Sequence, residues 1–228
     1  MLASKQKGED VTTWSGLTTL ALDHVTDALK KLHIGGAYLP GWRGRFDGRF
    51  AGTALPVQCL WERFRAVDPE DYRTEEIEAA VFPGAVVVIE GGGEPAAVFG
   101  PVAAGAYAAA GATGVVVNGG SRGCTAIAKT RLRLLTRHET HLSGFGSVRR
   151  ELVDRVVVGG AEIRRGDLLL GDATGLVVVP EEAVTETITL ATAFAAADNT
   201  LIAGIAAGTA FTDLWQRSSR NTSSSTSM

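Results

Sequence analysis

A chain of 228 residues with 45% hydrophobic residues has the material for one well-filled core. Its formal charge of −3 and pI near 5.8 remove any bulk electrostatic case for nucleic acid or an anionic membrane as partner. Two cysteines, Cys59 and Cys124, are too few for a disulfide framework and suit a reducing compartment.

Residues 1–14 read as a flexible arm, and their lack of an apolar signal-peptide core points to a cytoplasmic protein. A single domain is expected over 15–217, followed by a disordered Ser/Thr-rich tail over 218–228. From Leu17 to Leu32, apolar residues at Leu17, Leu20, Val25, Leu29 and Leu32 keep helical spacing, which Gly35-Gly36 should stop. Pro40 to Phe50 is a Gly/Arg loop carrying Arg43, Arg45 and Arg49 among Trp42, Phe46 and Phe50. It reads either as a solvent-facing loop or as an arm over an anionic substrate. AGTALPVQCLW is an extended strand whose Pro56 argues for an edge or a bulge.

A polar, acidic stretch runs from Asp68 to Glu78, and Pro83-Gly84 then turns into AVVVIE, a short strand ending at Glu90. GPVAAGAYAAAG is a small-residue helix with Pro101 in its first turn, and TGVVVN is the next strand. Strand, helix and strand in this order form a βαβ unit with parallel strands. No charge falls between Pro95 and Ser121, but two prolines and an Ala/Gly-rich composition favour a buried helix and strand over a membrane span. Cys124 to Arg150 is polar and basic with weak periodicity. DRVVVGGAEIRRGDLLLGDATGLVVVP is a β-meander by its turns, the Arg165–Asp167 tripeptide being turn chemistry. Pro180-Glu181-Glu182 opens a long Ala-rich helix, and no internal repeat is present.

Gly100 starts a helix whose free amides at Val102, Ala103 and Ala104 favour an anion. Arg122 leaves the C-terminal end of the next parallel strand, the edge where open α/β sheets collect ligands. A carboxylate held by paired N–H donors and a guanidinium is the natural occupant. Glu90, ending the neighbouring strand, is the candidate acid or base, and Asn118, shortly before the turn glycines, is a substrate-binding candidate. His24, Asp27 and His33 read as surface or packing residues, and His138 and His141 as a solvated face too sparse in partners for a metal site. Cys124 lacks an assignable histidine partner for nucleophilic work.

PGAVVVIEGGG, FGPVAAGAYAAAGATGVVVNGGSRG, GGAEIRRGDLLLGDATGLVVVPEEA and the earlier VTDALKKLHIGGAYLPGWRGRFDGRFAGTALPVQC together resemble the RraA-like family. The family includes regulator of ribonuclease activity A and divalent-metal 4-hydroxy-4-methyl-2-oxoglutarate aldolases, and its members are often mislabelled demethylmenaquinone methyltransferases. The resemblance runs from about Leu17 to Ala193. It implies an α/β/β sandwich with a central βαβ unit, a C-terminal β-meander and flanking helices, assembled as a homotrimer or hexamer with its site at a subunit interface. It also implies that Arg122 and the amides of Val102 and Ala103 hold the pyruvyl part of a substrate. The acids expected for Mg²⁺ or Mn²⁺ are replaced by Gly123 and Pro101, and a further aspartate by Asn118. The reading is therefore a small-molecule enzyme of metal-independent lyase or cyclase type, without cofactor. The alternatives are a metal-dependent 4-hydroxy-2-oxo acid aldolase or oxaloacetate decarboxylase using Mg²⁺ or Mn²⁺, and a non-catalytic regulator of ribonuclease E type.

Overall fold

The computed structural model describes residues 17–35, 38–40, 42–44, 46–62, 74–144 and 147–216. The expected arm, the tail over 218–228, Gly36, Arg45 and residues 68–73 of the acidic stretch lie outside them. After a turn at 17–20, α1 (Leu22–Lys31) buries Val25, Ala28 and Leu29 and places Asp23 at its start and Lys30 and Lys31 at its end. The chain leaves α1 through His33, whose φ of 59° is left-handed, and Ile34 N–H bonds back to Leu29 O at 2.9 Å. The stop thus comes before Gly35, and His33 has a capping role.

Strands β1 (Tyr38–Pro40), β2 (Arg43–Gly44) and β3 (Arg49–Trp61) are followed by α2 (Thr74–Ala80), β4 (Ala85–Glu90) and β5 (Ala97–Phe99). Next come α3 (Pro101–Ala109), β6 (Gly114–Ser121), a single turn α4 (Cys124–Ile127), β7 (Arg133–Glu139) and β8 (Val148–Leu152). Strands β3, β4, β6 and β7 are parallel neighbours at the centre of the main sheet. Strand β7 falls in the stretch that showed only weak periodicity, because Arg133, Thr136, Arg137 and His138 interrupt its apolar pattern.

The C-terminal run is β structure as expected, built as two hairpins. Strands β9 (Arg155–Val158) and β10 (Ala161–Arg164) form a separate small sheet, while β11 (Leu168–Asp172) and β12 (Gly175–Val179) extend the main one through β3. A 3₁₀ turn (Glu181–Ala183) leads into α5 (Val184–Ala206).

Strand alternation divides the sheet into two faces. Val87, Ile89, Val115 and Val117 pack under α2, α3 and α4 through Ile77, Ala104, Tyr107 and Ile127. Val86, Val88 and Val116 pack on the opposite face against Val156, Val158 and Ile163 of the β9–β10 hairpin. Ala51, Leu168 and Val177 continue the helical face under α1 and α5. Helices, sheet and hairpin form an α/β/β sandwich.

Pro56 corrects one expectation. It lies within central strand β3, opposite Val88, not at an edge. On its other side β11 pairs up to Thr53 and β8 begins at Val57, so the missing N–H falls in the gap between partners. Its carbonyl still accepts from Val153 N at 3.2 Å.

The segment Pro95–Ser121 is folded into β5, α3 and β6. Among the described residues one helix, Glu181–Ala206, is long and apolar enough to cross a membrane by length and composition. Glu186, Asp198 and Asn199 interrupt it, and each is costly in hydrocarbon.

Candidate functional site

At the C-terminal ends of the parallel strands the chain makes two adjacent groups of polar residues, one on each face of the sheet. The helix-side group is built by backbone contacts. Arg122 N–H donates to Phe99 O at 3.0 Å, which ties the end of β6 to the approach of α3. A Cβ at Gly100 would lie 3.4 Å from Arg122 Cγ and 3.5 Å from its Nε, so the arginine runs over the helix start. Ala104 N–H is the first amide of α3 to find an intrahelical partner, Gly100 O at 3.0 Å. Pro101 has no N–H, so Val102 and Ala103 carry the free donors. Arg122 is exposed, and no side-chain partner for it occurs among the described residues. The structure thus brings together Gly100, Arg122 and the start of α3.

The glycines of the turn answer to close approach. A Cβ at Gly120 would collide with Pro95 O, because β5 passes directly over that residue. Gly123 is left-handed at φ 63°, and a Cβ there would lie 2.5 Å from Pro101 Cγ.

Glu90 and Asn118 come together on the hairpin-side face. Asn118 Nδ2 donates to Glu90 Oε2 at 2.7 Å, and Gly92 N–H donates to Glu90 Oε1 at 2.6 Å. Both residues are buried, at 8% and 6% exposure, so the carboxylate is held within the protein. Strand alternation puts Glu90 on the face of Val86 and Val88, opposite the helical face that carries α3. No hydrogen bond or ion pair joins Glu90 to Arg122 among the described residues. Arg137, which sequence pattern did not single out, donates to Asn118 Oδ1 at 3.2 Å. Its signal was its place two residues after Leu135, on the same face of β7.

These contacts fix the Gly91–Gly93 loop. Trp61 Nε1 donates to Gly91 O at 2.9 Å, and His138 Nε2 lies 3.1 Å from Gly93 O. His24 Nε2 meets Asp198 Oδ2 at 3.0 Å, joining α1 to α5. Arg49 reaches Thr19 O at 3.4 Å and Asp172 at 4.0 Å, and Phe46 stacks edge-on to Phe50 at 5.7 Å, so these parts of the Gly/Arg loop are packed. Burial pushes the Cys59 thiol up to about 12, and Arg150 offsets only part of that. Cys124 donates weakly to Ser121 O at 3.5 Å. It also lines a shallow depression with Ile127, Leu132 and Thr136, which Arg122 does not border.

The sequence profile of the RraA-like family, described as Aldolase/RraA, matches residues 22–178. The chain belongs to the RraA-like family. Known folds agree with this. An uncharacterized protein of Pseudomonas syringae pv. tomato str. DC3000 superposes with a TM-score of 0.77 at 24% identity, over 90% of this chain and 97% of that one. Streptomyces coelicolor RraAS2, an unusual member of the RNase ES inhibitor RraA protein family, gives 0.73 at 22% identity, over 87% and 98%. The RNA-processing inhibitor RraA from Thermus thermophilis gives 0.57 at 26% identity, over 69% and 92%. Comparison with curated proteins gave no sequence match.

The divalent cation that the likeness to RraA-like aldolases implies does not fit the residues described at this site. Pro101 and Gly123 offer no side-chain oxygen, and the Pro101 ring stands where a side chain at 123 would begin. Among the described residues no group of three or more His, Cys, Asp or Glu side chains gathers to hold an ion.

Proposed function

We propose that this RraA-like chain is an enzyme that holds a small carboxylate or enolate-bearing substrate at Arg122 and the amides of Val102 and Ala103. Its chemistry is of lyase or cyclase type and proceeds without a divalent cation. The observation that carries this reading is Arg122 itself, a guanidinium without a side-chain partner among the described residues, laid across Gly100 at an open helix start. Two amides and a planar fork of donors suit a carboxylate, and they stabilise an enolate oxygen more as its charge develops.

Glu90 enters this reading as the residue that fixes the Gly91–Gly93 loop, since both its oxygens already accept hydrogen bonds. The working form is a cytoplasmic homotrimer or hexamer with the site at a subunit interface, and neither nucleic acid nor membrane is a partner. Replacing Arg122 by Ala is the direct test: turnover and anion binding are lost while the melting temperature stays within the range of a neutral surface change. Retained turnover in R122A would sink the assignment.

A second reading is a protein-binding regulator, supported by the likeness to the Thermus thermophilis RNA-processing inhibitor. It predicts slower RNA cleavage by purified ribonuclease E when the protein is added. The metal-dependent aldolase alternative predicts pyruvate release from 4-hydroxy-2-oxo acids that needs Mg²⁺ or Mn²⁺ and stops with EDTA. Its support is weakened by the proline at 101 and the glycine at 123.

A further inference from the structure

We propose that Pro101 and Gly123 are one interlocked replacement. The proline ring fills the space where a metal-holding side chain at 123 would start, and it leaves a hydrocarbon wall beside Arg122. The ligand class that fits is a carboxylate with an apolar neighbouring group, in preference to a chelating 2-oxo acid. The interlock stands on sterics alone, whereas the ligand class rests on Arg122 being the anion site.

The backbone at 123 does not by itself forbid an acid. Its φ of 63° and ψ of 31° are left-handed, a region that Asp and Asn tolerate better than other residues with a side chain. What forbids one is Pro101. A Cβ at 123 would lie 2.5 Å from Pro101 Cγ and 3.0 Å from Cδ, closer than packed carbon atoms approach. A long side chain could swing aside, but the pyrrolidine ring is closed onto its own backbone. That backbone is fixed as the first residue of α3, a position that suits proline.

Neither family acid can therefore be regained alone at the place it belongs. An acid at 123 meets the ring, and an acid at 101 faces a glycine with no side-chain carboxylate to share the ion. Val102, the next residue of the helix start, is 88% exposed. Arg122 thus has a pyrrolidine ring beside its helix start where the family's pattern places a carboxylate.

The test is a double-mutant cycle on the full chain, read by melting temperature. G123A lowers the midpoint in the Pro101 background, from both the left-handed backbone and the clash. In the P101A background the same change should lower it by less than half as much, only the backbone part remaining. Equal drops in both backgrounds overturn the interlock. Should G123A fail to fold, recovery of folded protein in P101A/G123A supports the interlock equally, and failure of both overturns it.

Electron paramagnetic resonance with Mn²⁺ reads the metal position: wild type leaves the free-ion signal unchanged, and stoichiometric loss of signal overturns the proposal. In EDTA, isobutyrate should bind roughly tenfold tighter than oxalate by calorimetry, the size of effect that one or two buried methyl groups give. Oxalate binding as tightly overturns the ligand class. Binding of neither anion removes Arg122 as the anion site, and the cycle still decides the interlock.

Discussion

Asn118 shows how one atom decides a contact at the residue scale. Its Nδ2 donates to Glu90 Oε2 at 2.7 Å, which an aspartate in the same place cannot do. N118D would set two buried carboxylates against each other, and we expect a loss of about 1–3 kcal/mol near neutral pH. Urea denaturation of the two proteins at that pH checks this. Cys59 gives a chemical prediction. Its thiol, raised by burial to about 12, stays protonated and should resist iodoacetamide in the native protein, whereas half-buried Cys124 should label first in mass spectra. Arg122 and the start of α3 were legible in the sequence, because strand ends and helix starts announce themselves through glycine and proline. The direction of Glu90 was not. Strand β4 is buried on both faces, so its run of valines carries no alternation from which a face can be read.

At the scale of elements, the Arg-Gly-Asp tripeptide is the clearest case of turn chemistry legible in sequence. Asp167 is buried at 3% exposure. It accepts from Arg164 N at 2.7 Å and Glu181 N at 3.2 Å, closing the turn after β10 and capping the 3₁₀ turn before α5. Burial raises its pKa above 3.8 in spite of those two bonds. Folding then favours the protonated acid, so its contribution to stability is complete at low pH and is lost as the pH rises through the folded value. D167N does not titrate, and the stability of wild type relative to it should fall as the pH rises from strong acid to neutral. A difference that grows over that range contradicts the assignment. Strand β7 was the element least legible beforehand, because Arg133, Thr136 and Arg137 break its apolar pattern. Pro56 misled for a related reason. Propensity registers the missing N–H, but only the tertiary pairing shows that it falls between two partner strands.

For the whole molecule, the βαβ unit and the run of turns were legible in the residues, and the resemblance to the RraA-like family implied the α/β/β sandwich. They could not show that the crest of the sheet divides into a helix-side group at Arg122 and a hairpin-side group at Glu90. That division follows from long-range packing, since β9–β10 covers one face and α2–α4 the other. Assembly is tested by mass photometry, where a site at a subunit interface predicts three or six copies in one particle. The central claim is that a small anion binds at Arg122 and the start of α3 without a divalent cation. Calorimetric titration of a simple carboxylate such as isobutyrate into the full chain in EDTA, with R122A alongside, tests it most directly. Saturable binding to wild type is expected, together with its loss in R122A at an unchanged melting temperature. Binding that requires Mg²⁺, or that survives in R122A, would contradict the claim.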